Sequence, residues 1–399
     1  MPSLQGPRRW AYQAWTALPS PVRGVGGTVL RLRAEREVAR QPGLDPRARS
    51  RLVIGPLNTA GQGERWARAA RAVPGCDARA MSVERRSSAG FGFPSDWHLS
   101  RAVQVRGMPR HAARVLGTGR EPGATHVLAE GARSLLDDPF TRWVTDDLPR
   151  LREAGVEAAV LIHGSELRDL HRHAAAYPHS PFRGEWDERW ERMQATVERT
   201  RSVLGRLEGA EVPVFVTTAD MLDHVPGASL LPVTADVDRF TPGAERPMLE
   251  RDRPVVLHAP SNPRLKGTPV VEEVLTRLQQ EGLVVYRRLS GVPHAEMPGF
   301  VADADVVVDQ VVLGNVGTLA AESMAAGRLV VAHVPDHVRA RTPGLPVLEA
   351  APDTLEGVLR DVVAHRDGYR DLAARGPAWA REHHDGRAAA RALSPWLGL

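Results

Sequence analysis

Arg51-Leu-Val-Ile-Gly55, followed by Pro56-Leu-Asn-Thr-Ala-Gly-Gln-Gly63, sets the reading of the whole chain. A short apolar run that stops at glycine and opens into a polar, glycine-containing loop is the start of a strand–loop–helix unit. The helix is expected from Glu64 to Val73, where Trp66, Ala69, Ala70 and Val73 share helical spacing. The same grammar returns downstream. Thr125–Ala129, Ala158–Ile162 and Val212–Val216 are apolar runs that end at polar or glycine residues, and a long helical stretch covers Glu185–Leu207. Strands alternating with helices predict a parallel, doubly wound sheet.

A second series follows Pro232–Gly243, whose prolines and glycine read as a linker. Val255–Ala259, Leu283–Leu289, Asp305–Asp309 and Leu329–Ala332 are its strand candidates, and Pro269–Glu281 is a helix with Val270, Val274, Leu275 and Leu278 on one face. The fold class expected is therefore α/β, with two Rossmann-like domains facing each other across a cleft. The expected division is an Arg-rich extension over 1–50, a first domain over 51–235, a second over 236–376, and C-terminal helices over 377–399 that return to the first domain.

Composition narrows the function. The 399 residues are 42% hydrophobic and 25% charged, with no apolar run near the roughly 20 residues of a membrane-spanning helix. The start lacks the apolar core and cleavage site of an export signal. Cys76 is the only cysteine, which fits a reducing cytoplasm and excludes an internal disulfide or cysteine zinc cluster. Residues 1–50 hold nine Arg against three acids, a charge of +6, so the rest of the +4 chain carries 4 − 6 = −2. The body is not a basic nucleic-acid binder. The leader, with Trp10, Tyr12 and Trp15, offers a peripheral contact with anionic lipid at the inner membrane surface, although a plain N-terminal extension explains it as well.

Of the 52 basic residues, 51 are arginine and one is Lys266. Any lysine chemistry must use Lys266. Leu265 precedes it, so no Walker A loop is present. There is no nucleophile elbow and no dinucleotide fingerprint after a strand. His171, His173 and His179 lack a complete ligand set, and Asp236-Val-Asp238 and Asp303-Ala-Asp305 are chance-level motifs, so no metal site is expected.

In parallel sheets, ligands sit beyond the carboxyl ends of the strands, against helix N-termini that suit phosphate. Three loops fit: Pro56–Gly63, Pro260–Gly267 and Gly314–Glu322. In the third, Gly314 and Gly317 permit close backbone approach, Thr318 is expected to cap the next helix, and Glu322 falls about one turn inside it. Alone, this loop reads as a glycine turn with a solvent-facing glutamate. Lys266, with Arg264 beside it, adds the cation that a diphosphate needs.

Pro260–Thr268, Gly291–Glu296 and Glu322–Gly327, in this order, resemble the GT-B glycosyltransferases, specifically retaining family four, and Leu231–Phe240 is similar to that family's linker segment. The resemblance covers about 212–335 well and 51–175 more weakly. It implies a cytoplasmic transferase that moves a sugar from a nucleotide-diphosphate donor to an acceptor hydroxyl, with retention and without a cofactor or metal. Its partners would be the nucleotide sugar and a small-molecule or glycan acceptor, and no nucleic acid. His163, Lys266 and Arg264 would be catalytic. Gly61, Gln62, Ser261, Asn262, Gly314, Asn315, Gly317, Thr318, Leu319 and Glu322 would hold the donor, and Asn58, Glu166 and Arg168 the acceptor. Two positions depart from the pattern: Gly314 stands where the family has a first glutamate, and Ser261 where it has an arginine. Asn315 or the Asp309-Gln310 pair are the nearby substitutes. The rival readings are a GT-B nucleotide-sugar epimerase and a non-catalytic nucleotide-sugar-binding partner protein.

Overall fold

Apolar runs flanked by turn residues become strands buried on both faces, and their neighbours become the helices that cover them. The computed structural model describes residues 20–84, 93–118 and 121–399. Trp10, Tyr12 and Trp15 of the leader lie outside the described residues.

The first sheet has seven parallel strands: β1 (Ser50–Gly55), β2 (Cys76–Val83), β3 (Trp97–Leu99), β4 (His126–Glu130), β5 (Glu157–Ile162), β6 (Val214–Val216) and β7 (Ser229–Leu230). Their order is β3-β2-β1-β4-β5-β6-β7. The second has five: β8 (Val255–His258), β9 (Val285–Arg288), β10 (Val306–Val308), β11 (Leu329–Ala332) and β12 (Val347–Glu349), in the order β12-β11-β10-β8-β9. Every pair is parallel. This is the expected α/β architecture of two Rossmann-like sheets.

The sequence pattern does not reveal β2. Asp77 and Arg79 interrupt its apolar residues, yet Ala78, Ala80 and Met81 are fully buried. Nor does it reveal α1 (Ser20–Arg40) in the leader, which anchors through Ala34 and Val38.

Four helices flank or carry the candidate residues: α2 (Gln62–Arg71) after β1, α3 (Glu188–Leu207) before β6, α4 (Thr268–Gln280) after β8, and α5 (Thr318–Ala325) after β10. The final helix, α6 (Arg387–Leu397), lies on the first half, where Leu393 and Leu397 share a core with Leu52 and Trp66. Ser50 Oγ donates to Leu397 O at 2.7 Å. The chain therefore crosses between the halves twice, which ties them at the linker. There, Ala235 N–H donates to His384 O at 2.8 Å.

Candidate functional site

Each sheet reverses its strand order at one point: between β1 and β4 in the first, and between β8 and β10 in the second. Loops leaving adjacent strands there diverge and open a crevice. The two crevices face each other and form one cavity of about 830 Å³. All three glycine-bearing loops contribute to it: Leu57–Ala60 from the first, Pro260, Ser261 and Lys266 from the second, and Thr318, Leu319 and Glu322 from the third.

A one-turn helix, Pro263–Lys266, ends at Gly267 in the left-handed region (φ 72°), where a Cβ would meet Val311 at 2.6 Å. This turn directs Lys266 Nζ to Asp309 Oδ1 at 2.6 Å. The other Asp309 oxygen accepts the Gly317 N–H at 3.0 Å. Gly317 is the N-cap of α5, and a Cβ there would sit 3.1 Å from Lys266 Nζ. Thr318 is thus the first helical residue rather than the cap, and its side chain makes no capping bond. The leading amides of α5 have no intrahelical acceptors, and Thr318 and Leu319 both line the cavity.

Glu322, one turn in, is not solvent-facing. It is 3% exposed and accepts a hydrogen bond from His294 Nε2 at 2.7 Å. Behind Lys266, the His258 ring donates from Nδ1 to Val308 O and accepts at Nε2 from the Thr268 hydroxyl, each at 2.8 Å. Burial lowers its pKa to about 4, with Lys266 acting in the same direction, so the ring is neutral near pH 7.

On the first half, Glu130 ends β4 fully buried. Its carboxylate accepts the N–H groups of Asn58 at 2.6 Å and Thr59 at 2.8 Å, and His163 Nε2 at 2.9 Å. Burial alone would raise its pKa, but the hydrogen bonds from His163 and Thr59 outweigh it and hold the group below the usual carboxylate range. His163 stacks near Trp66 with ring centroids 6.1 Å apart. It is buried beside the cavity and not among the residues lining it. The Asn58 amide is also committed, to Pro94 O and the Glu64 N–H.

Several other candidates lie away from the cavity. Glu166 Oε2 accepts the His163 N–H at 3.1 Å. Arg168 pairs with Asp220 in a buried bridge, and Asn315 Nδ2 reaches the same aspartate at 3.5 Å. Gln62 makes a two-way bond with the backbone of Thr234 in the linker. Gly61, at φ 73°, packs against Phe93. Asn262 precedes the turn that carries Lys266 and makes no side-chain capping bond, and Gly314 (φ 76°) lies against Pro335. Arg264 pairs with Asp187 at the start of α3 and lies over the Trp190 ring at 4.2 Å, which joins the two halves outside the cavity. Gln310 spends its side chain on the backbone of Val312, Leu313, Asn315 and His333. Both Asn315 and Gln310 are thus committed to groups outside the cavity lining.

Sequence reading alone misses the roles of four residues. Asp309 and Glu130 each directly follow an apolar run, a position that could have marked them. His294 lies inside the Gly291–Glu296 motif. Arg65 follows the first glycine loop, lines the cavity, and reaches Thr234 O at 3.3 Å and the Phe93 ring at 5.9 Å. Burial lowers its pKa, while Glu322 and Asp236 oppose the shift. Among the described residues, no three His, Cys, Asp or Glu side chains gather as ion ligands, and no helix is long and apolar enough to cross a membrane.

No family model matches the sequence, and no curated protein is detectably similar to it. Solved structures do match its fold. Sucrose-phosphate synthase from Thermosynechococcus elongatus superposes with a TM-score of 0.55 at 13% identity, covering 87% of this chain and 97% of that one. An alpha-glucosyltransferase solved with UDP and a 13-mer DNA containing a HMU base gives 0.54 at 9% identity, covering 88% and 100%. Anabaena Alr3699/HepE, solved with UDP, gives 0.53 at 12% identity, covering 88% and 99%. At such identities the likeness is one of architecture, and the architecture is GT-B.

Proposed function

We propose that this chain is a glycosyltransferase of the retaining family-four kind, moving a sugar from a nucleotide-diphosphate donor to an acceptor hydroxyl. The observation that carries this reading is the meeting, on one wall of an interdomain cavity, of the only lysine, the open first turn of α5 and a buried glutamate one turn further on. Two solved GT-B structures of like fold hold UDP, which supports a nucleotide diphosphate as the ligand class.

In this reading the donor diphosphate lies against Lys266 and the Thr318 and Leu319 amides. Glu322 takes the ribose hydroxyls, and its bond from His294 fixes the carboxylate for that purpose. Arg65 faces the ligand from the opposite wall, and Leu57–Ala60 shape the acceptor side. The acceptor oxygen attacks the anomeric carbon from the face that the diphosphate leaves. The anomeric C–O bond to phosphate breaks, the new C–O bond forms, and the acceptor proton passes to a departing phosphate oxygen. Charge grows on those oxygens in the transition state, where a fixed ammonium and helix amides are most effective. These groups serve the departing charge without calling on a metal. His163 contributes through the Glu130 network that holds the Asn58-Thr59 loop.

Gly314, with Asn315 and Gln310 committed elsewhere, favours one second reading: a protein that binds a nucleotide sugar without transferring it. Product analysis separates the two. Incubation with UDP- and GDP-hexoses and a panel of acceptors is expected to give a glycosylated mass with the wild type and far less of it with Lys266→Ala. An altered sugar nucleotide formed without acceptor indicates epimerisation, and donor binding with no product across the panel indicates a binding protein.

A further inference from the structure

The wall from the second half contains a carboxylate for which the proposed reaction has no direct use. Asp309, at the end of β10, has no solvent-exposed side-chain surface, whereas Lys266 keeps 17% of its side chain exposed. The acid therefore sits behind the base as seen from the cavity. An ammonium carries three N–H donors. One is used at 2.6 Å on Asp309 Oδ1, and the others remain for a ligand. The second Asp309 oxygen takes the Gly317 N–H, which fixes the residue that starts α5. One buried group thus sets the position of both elements that face a phosphate. A lysine stem loses considerable rotamer freedom when it is fixed. Here that loss is met before any ligand arrives, which is preorganisation in the strict sense.

We propose that Asp309 is a positioning residue for the anion site: it orders Lys266 and the first turn of α5 for a diphosphate without touching the ligand itself. The inference rests on the nucleotide-diphosphate reading. Its opposite is that Asp309 is a built-in anion occupying the phosphate groups' place, to be displaced by the ligand. The two give effects of opposite sign.

Because Lys266 is the only lysine, protein labelled with ¹³Cε-lysine gives a single ε-methylene resonance. Without nucleotide, that group should relax as an ordered side chain in the wild type and as a mobile one in Asp309→Asn, a near-isosteric change that keeps an acceptor for Gly317. UDP should bind Asp309→Asn about tenfold more weakly, a difference of one tight charged contact, while uridine affinity is unchanged. A mobile ε-methylene in the wild type overturns the proposal whether or not the variant folds. So does UDP affinity that is kept or raised in Asp309→Asn. A wild type that takes neither UDP nor GDP defeats the nucleotide reading alone, because the relaxation measurement needs no ligand and still decides whether Asp309 fixes Lys266.

Discussion

Glu130 at the end of β4 and Asp309 at the end of β10 occupy matching places in the two sheets. Each strand borders the first strand of its sheet at the point where the order reverses. Each acid is buried, and each holds one side-chain donor and the backbone of a glycine-bearing loop. The partners differ. Glu130 takes two loop amides and a histidine that is itself buried, whereas Asp309 takes one amide and a lysine whose head reaches the cavity. The same device thus closes the first half, where it holds a loop, and opens the second half, where it presents a charge. A fold built from repeated units can therefore carry a closed wall and a charge-presenting wall from one local plan.

The strongest way to break this contrast is Lys266→Met. If the charge presented by the second half stabilises a departing diphosphate, kcat should fall by about 10²–10³, the effect typical of removing a preorganised transition-state donor. Steady-state kinetics with the donor that supports transfer would check it. The contrast is sharpened by Glu130→Gln. Replacing one carboxylate oxygen by an NH2 group among the N–H donors of Asn58, Thr59 and His163 should lower unfolding free energy by about 1–3 kcal/mol, read from urea midpoints, while nucleoside-diphosphate affinity stays within about twofold of wild type. A loss of donor affinity equal to that of Asp309→Asn would erase the distinction between the walls.

Acid should act on both halves alike. His111, His173, His258 and His384 all titrate near pH 4 in the folded chain because burial disfavours their charged forms. Between about pH 4 and the ordinary histidine value near 6.5, the unfolded chain binds more protons, so folding stability falls as pH is lowered through that window. Urea unfolding at pH 7 and pH 5 should show the decline, and equal stabilities would contradict the buried, neutral histidines.

The smallest effect is expected from Gly314→Glu, which introduces the first glutamate that the family-four resemblance implies. Gly314 has φ 76°, and a Cβ would meet Pro335 at 3.2 Å, so the change should cost about 1 kcal/mol. It should add no transfer activity, measured as turnover beside the wild type.

The difference between what is and is not legible in the sequence has a physical basis. Strands β1, β4, β5, β8, β10 and β11 announce themselves as apolar runs because both faces are covered. β2 does not, because Asp77 and Arg79 pair with each other and keep charge within a buried strand. The loops around the cavity are legible from glycine and helix-start chemistry, and Lys266 from being the sole lysine. The pairings are not. His163 and Glu130 are 33 positions apart, Lys266 and Asp309 are 43, and His294 and Glu322 are 28. No local spacing encodes a contact that only the meeting of two strand ends creates. For the same reason Arg264 and Arg168 read as ligand-binding cations, whereas the fold spends both on aspartates.

The most direct test of the central claim is to follow the lone Lys266 ε-methylene resonance while UDP or GDP is added to the intact protein. A saturable shift is expected with a nucleoside diphosphate and little change with the nucleoside alone. A nucleotide that binds by calorimetry while this resonance stays still would contradict the account, because its phosphates would then lie elsewhere.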